Sequence, residues 1–465
     1  MSPFSSLLTI RSKINTRTLA SMNNSIVNRF HQAPILLASL MPSMQAKAYQ
    51  NMAILPSPCH AASRIQTRGL SSTTKSDLTH SSVSPTASIS DTDSTIRITF
   101  ADGSSTSFHG IWLRDHCRCK ACFHQVTRQR LVDTSQIPLD IKPQSVSIRD
   151  GIVTIEWHKP SHTTEFTLDW LQQHSYAPKV SIKIDKPSTK KFWDASIVSN
   201  LPTTPYKDIM GGNDGLQHWL TNIDTYGFGF VSGVPVDPKA TEELGRRISF
   251  IRETHYGSFW DFTPNMEHGD TAYTTLGLGA HTDTTYFTDP IGLQLFHLLE
   301  HTGTGGESLY VDAFHVANLL KQESPWAFDA LTQIQITAHS AGDEHTFMQP
   351  TPKQFPLIKL DNFGNVLQVR YNNNDRSVLD SLSKTDVEQF YAALRVWMTM
   401  VKDRRNEAWV KLVPGMAVMV DNWRVLHGRS AFTGFRRLVG SYHGWDDYRS
   451  KVMMICGQGK AKDDL

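Results

Sequence analysis

From about residue 95, apolar and polar positions alternate over short runs. "TIRITF" and "TSFHGIWL" flank Asp102-Gly103, and "SVSIR" and "IVTIEW" flank Asp150-Gly151. Asp-Gly between alternating runs predicts β-hairpins, because the pair tolerates the positive φ of a tight hairpin turn. A small β-rich domain is therefore expected over 95–190. After a loop around Pro202–Pro205, Leu216–Tyr226 and Glu242–Ile251 read as amphipathic helices. Beyond Tyr273 strands return in "GLQLFHL", "ESLYVDA", "PLIKL", "NVLQVRY", "AVMVDNW" and "RLVGSYHGW", the last two joined by the apparent strand "VMVDNWRVLHGR" and the loop after it. One long helix interrupts them. Val387, Phe390, Tyr391, Leu394, Trp397, Met398 and Val401 recur at helical spacing as a core-facing stripe. The pattern predicts a mostly β fold with flanking helices: a double-stranded β-helix (jelly-roll or cupin-like) catalytic domain over 205–455, behind the smaller β-rich domain.

Composition changes this picture mainly at the front. The chain has 465 residues, 39% hydrophobic and 19% charged, enough for two or three domains with a real core. A net charge of +2 weighs against nucleic-acid binding by bulk electrostatics, and no apolar run approaches the ~20 residues that span a bilayer. From Met1 to Lys75 there is no acidic residue, while Arg, Lys and Ser are frequent. That bias predicts an organelle transit peptide over 1–75, followed by a low-complexity linker over 76–94.

Two groups of residues carry candidate chemistry. Cys117, Cys119 and Cys122 form C-x-C-x-x-C, a spacing that suits three corners of a zinc tetrahedron in a reducing compartment. In "GAHTDTTYF", His281 and Asp283 form His-x-Asp, and His427 follows in "DNWRVLHGR", 146 residues after His281. Two histidines and a carboxylate on one face leave the other face open, the arrangement of non-haem Fe(II) oxygenases. The tripeptide alone is weak evidence in a chain with 20 histidines. An arginine strand, "FRRLVGSYHGW", follows and offers a cation for a dicarboxylate.

Over about 95–450 the segments "WLRDHCRCKACFH", "IRETHYGSFWDF", "GDTAYTTLGLGAHTDTTYF", "GTGGESLYVDAFH", "RYNNNDR" and "DNWRVLHGR" resemble the γ-butyrobetaine/trimethyllysine dioxygenase family of Fe(II)- and 2-oxoglutarate-dependent oxygenases. The resemblance implies His281, Asp283 and His427 as iron ligands. It implies Arg436 as the anchor for 2-oxoglutarate, with Ser308 nearby and Arg437 as the alternative; Arg436 is preferred because it shares strand parity with Leu438 and Tyr442. It places Tyr256, Trp260, Tyr273 and Tyr442 in an aromatic cage for a quaternary ammonium, which has no N–H to donate and is held by ring faces. It places Asn372 at the other end of the substrate, with Asn373 or Asp375 assisting. His162 becomes the fourth ligand of a structural zinc, with His158 as the fallback.

The implied activity is 3-hydroxylation of Nε-trimethyllysine, the first step of carnitine biosynthesis, with O2 and 2-oxoglutarate as co-substrates and ascorbate as a helper. The implied setting is the mitochondrial matrix, and the implied assembly a homodimer without nucleic-acid or membrane partners. γ-Butyrobetaine hydroxylation is the alternative. A more remote one is a zinc-dependent nucleic-acid-binding module built on Arg118, Lys120, Arg128 and Arg130, although no recognition-helix pattern follows them.

Overall fold

A computed structural model of the chain describes residues 84–90, 92–180, 190–263, 274–342 and 344–457. The expected transit peptide, most of the expected linker and Tyr273 lie outside the described residues.

The N-terminal part is built from two antiparallel three-stranded sheets. The first contains β1 (Thr86–Ile89), β2 (Thr95–Thr99) and β3 (Ser105–His109), so the expected linker contains a paired strand. A two-stranded ribbon follows, β4 (Phe123–His124) and β5 (Gln129–Arg130). The second sheet is β6 (Pro143–Arg149), β7 (Ile152–His158) and β8 (Ser161–Thr167). At the β6–β7 turn Asp150 and Gly151 both take positive φ, 51° and 76°, as a two-residue hairpin turn requires. Ile96, Ile98, Phe108, Val153, Ile155 and Trp157 are buried between the sheets.

"GIWL" is not a strand. Gly110–Asp115 is a helix that buries Gly110, Leu113 and Arg114. Their i, i+3, i+4 spacing fits a helix as well as the short apolar run fits a strand. A Cβ on Gly110 would meet the Ile141 carbonyl at 2.4 Å, so only glycine lets this turn start here.

The rest of the described chain is a sandwich of two sheets. The larger is ordered β11-β22-β13-β20-β10-β9, from β9 (Thr203–Pro205), β10 (Phe228–Ser232), β11 (Phe259–Phe262), β13 (Leu293–His301), β20 (Met416–Asp421) and β22 (Arg436–His443). The smaller is β12-β21-β14-β19, from β12 (Leu278–His281), β14 (Ser308–Asp312), β19 (Ala408–Val410) and β21 (Val425–Arg429). Two short ribbons, β15–β16 (Gln335–Ile336, Phe355–Pro356) and β17–β18 (Ile358–Leu360, Val366–Val369), lie between β14 and β19 in the chain.

Side-chain alternation sorts the layers. Phe228, Phe230, Tyr310, Val418 and Val420 fill the space between the sheets. Val231, Leu295, Ala417 and Met419 face the opposite way, against helices that include Asn213–Tyr226. Leu309, Val311 and Leu426 meet the helices Ala313–Glu323, Pro325–Gln333 and Lys384–Val401. In the last of these Phe390, Leu394, Trp397 and Val401 are buried as expected. Tyr391 departs from the stripe, being 45% exposed beside the Arg376 guanidinium.

Two further expectations are corrected. The helix read over Glu242–Ile251 runs instead over Pro238–Arg246, because Asp237 caps the N–H groups of Lys239 and Ala240 and Pro238 opens the first turn. "VMVDNWRVLHGR" is two strands, β20 and β21, in different sheets. The crossing at Asn422–Arg424 is fixed by fully buried Arg424, which pairs with Asp312 at 2.9 Å and donates to the carbonyls of Thr225 and Lys191.

Candidate active site

β12 and β21 are antiparallel neighbours, and His281 and His427 are direct register partners. This pairing closes the 146-residue gap between them. Their rings lie 4.6 Å apart between centroids. Asp283 falls just beyond the end of β12. Its main chain is gripped by Asn422, which accepts from the Asp283 N–H at 2.8 Å and donates to its carbonyl at 3.0 Å. The next residue, Thr284, takes φ 57° and turns the chain away.

Asp283 Oδ1 lies 3.2 Å from His281 Nε2 and 3.7 Å from His427 Nε2. An octahedral ion with bonds of about 2.1 Å needs neighbouring ligand atoms about 3 Å apart, so the three donors fit one such ion with a small closure. His281 Nδ1 donates to the Gly279 carbonyl at 2.8 Å, which directs Nε2 to the cluster. Burial opposes charge on His281, but Asp283 outweighs it and holds the ring up to about 9. Burial pushes His427 down to about 3. Burial also opposes charge on Asp283, yet the two histidines hold its carboxyl well below the usual range. A divalent cation would compete with the His281 proton for this donor set, since a ligating imidazole nitrogen must be unprotonated.

His281 and Asp283 form the boundary of two cavities. One, of about 80 Å³, is lined by Ser308, Tyr310, His427 and Arg436. The other, of about 470 Å³, is lined by Tyr256, Phe262, Tyr286, Tyr371 and Tyr442 and reaches Asn372–Asp375.

With this geometry in place, known proteins are informative. Residues 186–442 match the model of the taurine catabolism dioxygenase TauD, TfdA family. The chain belongs to this family. Residues 87–191 match a second model, gamma-butyrobetaine hydroxylase-like, N-terminal. The chain is 41% identical over 372 residues to trimethyllysine dioxygenase of Meyerozyma guilliermondii, covering 77% of this chain and 93% of that one. It is 40% identical over 354 residues to the mitochondrial trimethyllysine dioxygenase of Rattus norvegicus, covering 75% and 82%. Gamma-butyrobetaine dioxygenase of Pseudomonas sp. is 32% identical over 378 residues, covering 80% and 97%.

In this TauD-family chain the two arginines that open β22 part company. Arg436 is 6% exposed, its Nε has no hydrogen-bond partner, and burial pushes its pKa down. Arg437 points outward and pairs with Asp261 at 2.6 Å.

The expected cage residues divide as well. Tyr256 lines the larger cavity, its hydroxyl 3.0 Å from that of Tyr286. Tyr442 lines it too, and donates to Asp283 Oδ2 at 3.1 Å. Trp260 does not join Tyr256 at the cavity wall. It lies on β11, 2% exposed, stacked on Phe262 with centroids 4.3 Å apart, and Phe262 is the ring that lines the cavity. Asn372 is at the cavity wall, but its amide donates to Asp375 at 2.9 Å and accepts from the Asn374 N–H at 2.9 Å. Phe262, Tyr286 and Gln294 were not anticipated. Parity could have found Phe262, two residues from Trp260 on one strand, but nothing in the sequence marks Gln294.

In the N-terminal part, His162 Nε2 lies 3.2, 3.6 and 3.4 Å from the sulfurs of Cys117, Cys119 and Cys122. A zinc tetrahedron with Zn–S of about 2.3 Å and Zn–N of about 2.0 Å has N···S edges of about 3.5 Å. Burial pushes the Cys122 thiol up to about 11, against the pull of Arg114, whose Nη1 donates to its sulfur at 3.2 Å. His158 is exposed and is not part of this group. Of the basic residues beside the cysteines, Arg130 pairs with Asp115 at 3.1 Å and Arg118 lies over the Phe123 ring.

Proposed function

We propose that this 2-oxoglutarate-dependent dioxygenase hydroxylates C3 of Nε-trimethyllysine, the entry to carnitine biosynthesis. One observation carries the reading: the His281–Asp283 edge separates a small cavity ending in a buried arginine from a larger one lined by aromatic rings. His281, Asp283 and His427 would hold Fe(II) by one face, and ascorbate would keep it reduced. Bound there, iron supplies the oxidising power that uses O2 and 2-oxoglutarate to replace a C–H bond by C–OH.

The chain's own residues decide what is oxidised. Arg436 pairs with the distal carboxylate of 2-oxoglutarate, assisted by Ser308, and its fork geometry suits that partner. Tyr256, Phe262, Tyr286 and Tyr442 hold the trimethylammonium group by their ring faces. Asn372 and Asp375 meet the amino-acid end. With both ends fixed, the reacting carbon is selected by its distance from the cation.

Cys117, Cys119, Cys122 and His162 would hold a structural zinc, since four protein donors leave no position for substrate. The proposed layout is a transit peptide over 1–75, a linker over 76–94 shortened by β1, a zinc domain over 95–190 and a catalytic domain over 205–455. The leader's composition and the mitochondrial rat relative support a matrix location. A homodimer is proposed from the resemblance and is read by light scattering.

The 32% identity to a gamma-butyrobetaine dioxygenase makes that substrate the competing reading. Purified protein with Fe(II), ascorbate and 2-oxoglutarate is given each substrate in turn, and product is read by mass spectrometry. Faster turnover of Nε-trimethyllysine is expected. Preferential turnover of γ-butyrobetaine overturns the assignment.

A further inference from the structure

We propose that Gln294 and Tyr442 together keep Asp283 a one-oxygen ligand, and so preserve the coordination position that dioxygen needs. The inference rests on the iron reading above. Gln294 on β13 and Tyr442 on β22 are cross-strand register partners, buried at 1% and 3% exposure, and they reach the same atom. Gln294 Nε2 donates to Asp283 Oδ2 at 2.7 Å, and the Tyr442 hydroxyl donates to it at 3.1 Å. Both histidine Nε2 atoms face the other oxygen, Oδ1. The two carboxylate oxygens are therefore assigned different tasks.

An octahedral ion leaves little room for error. Two imidazoles and one carboxylate oxygen occupy half of its positions, and bidentate 2-oxoglutarate takes two more, which leaves one. If Asp283 bound through both oxygens, none would remain. Without its two donors, Oδ2 would be an anionic oxygen, on a side chain 22% exposed, left with no protein donor at the edge of the two cavities. The metal is the nearest cation that could satisfy it, so the carboxylate would swing to chelate. The Gln294 amide is oriented by the same requirement. Its Oε1 is buried without a hydrogen-bond partner, and the flipped amide would set that oxygen against Asp283.

The test uses the full chain and the variants Gln294→Met, Tyr442→Phe and the double. Met keeps the volume of Gln, and Phe keeps the ring that lines the cavity. Each protein is saturated anaerobically with Fe(II) and 2-oxoglutarate, and bound iron is counted by chelator titration. Nitric oxide is then added as a dioxygen surrogate, and its electron paramagnetic resonance signal is expressed per bound iron. The double variant is expected to lose about tenfold or more of that signal, the scale on which residues behind metal ligands act. Each single variant should lose part of it. An unchanged signal per bound iron in the double variant overturns the proposal. Where the double variant does not fold, Gln294→Met decides alone: a loss of about threefold supports the proposal and no loss overturns it. A wild-type chain that takes up no iron would defeat the iron reading instead.

Discussion

The two ligand clusters of this chain differ in how they are assembled and in what they leave open. Three of the four donors near His162 lie within six residues, on the turn after one short helix. The donors near Asp283 come from strands 146 residues apart and meet only through the register of β12 with β21. The first cluster has four donors at tetrahedral spacing. The second has three, facing a cavity on either side. In the proposed reading the full donor set is a brace and the partial one a reaction centre, a difference that rests on coordination number and surroundings.

The largest expected effect breaks the symmetry of that comparison from the iron side. His281→Ala should lower 2-oxoglutarate turnover by about 10⁴-fold, roughly 5 kcal/mol of barrier. Metal analysis of the same variant should show iron lost and zinc kept. Unchanged 2-oxoglutarate decarboxylation would refute the iron assignment.

From the zinc side the effect should appear in stability rather than chemistry. Cys122→Ser removes one of four donors, and a structural zinc contributes folding free energy directly. A loss of about 3 kcal/mol is expected, which for a domain of this size lowers Tm by roughly 12–24 °C. Iron uptake should be retained. A variant that loses turnover while keeping its Tm would make the cysteine cluster part of the chemistry.

The contrast between the clusters also explains what was legible in the sequence. The Cys spacing and the Asp150-Gly151 hairpin are local, so spacing and turn chemistry disclosed them. Asp237-Pro238 was an equally local signal that the periodic reading overran by starting the helix four residues late. The helix at Gly110–Asp115 was illegible for another reason: its short apolar run satisfies either period, and packing against Ile141 decides. The spacing alone raises His281, Asp283 and His427 as a set, but it is the resemblance of neighbouring motifs to a family that favours them and that selects Arg436. Gln294 reaches Asp283 solely through its register with Tyr442, a relation between strands that no single stretch of sequence contains.

A smaller effect sharpens the idea of an open cluster on its 2-oxoglutarate side. Arg436→Leu removes the buried cation of the small cavity and should raise KM for 2-oxoglutarate about 100-fold, near 2.7 kcal/mol. Arg437→Leu, one residue on, breaks an ion pair that is more than one-third exposed on both sides. Such pairs contribute only about 0–1 kcal/mol of stability, and Arg437 does not line the small cavity, so KM should change less than about twofold. Equal effects from the two would erase the distinction between the inward and outward arginines.

The smallest effect tests the other side of the cluster, where expectation and structure disagree. The resemblance assigns the cage to Trp260, but the cavity wall is formed by Phe262, with Trp260 stacked behind it. Phe262→Leu keeps apolar volume and removes the π face. A ring's attraction for a quaternary ammonium is about 0.5–2 kcal/mol, so KM for the trimethylammonium substrate should rise roughly 2- to 30-fold. Trp260→Phe keeps an aromatic ring in the buried layer and discards an indole N–H that has no partner. It should alter KM by less than about twofold while costing some stability, because the lost atoms leave a void. KM for 2-oxoglutarate should stay constant in Trp260→Phe, since the small cavity does not include Trp260, whereas Phe262 borders both cavities. If Trp260→Phe raises substrate KM more than Phe262→Leu does, Trp260 reaches the cation in the substrate complex, and Phe262 is a spacer between them.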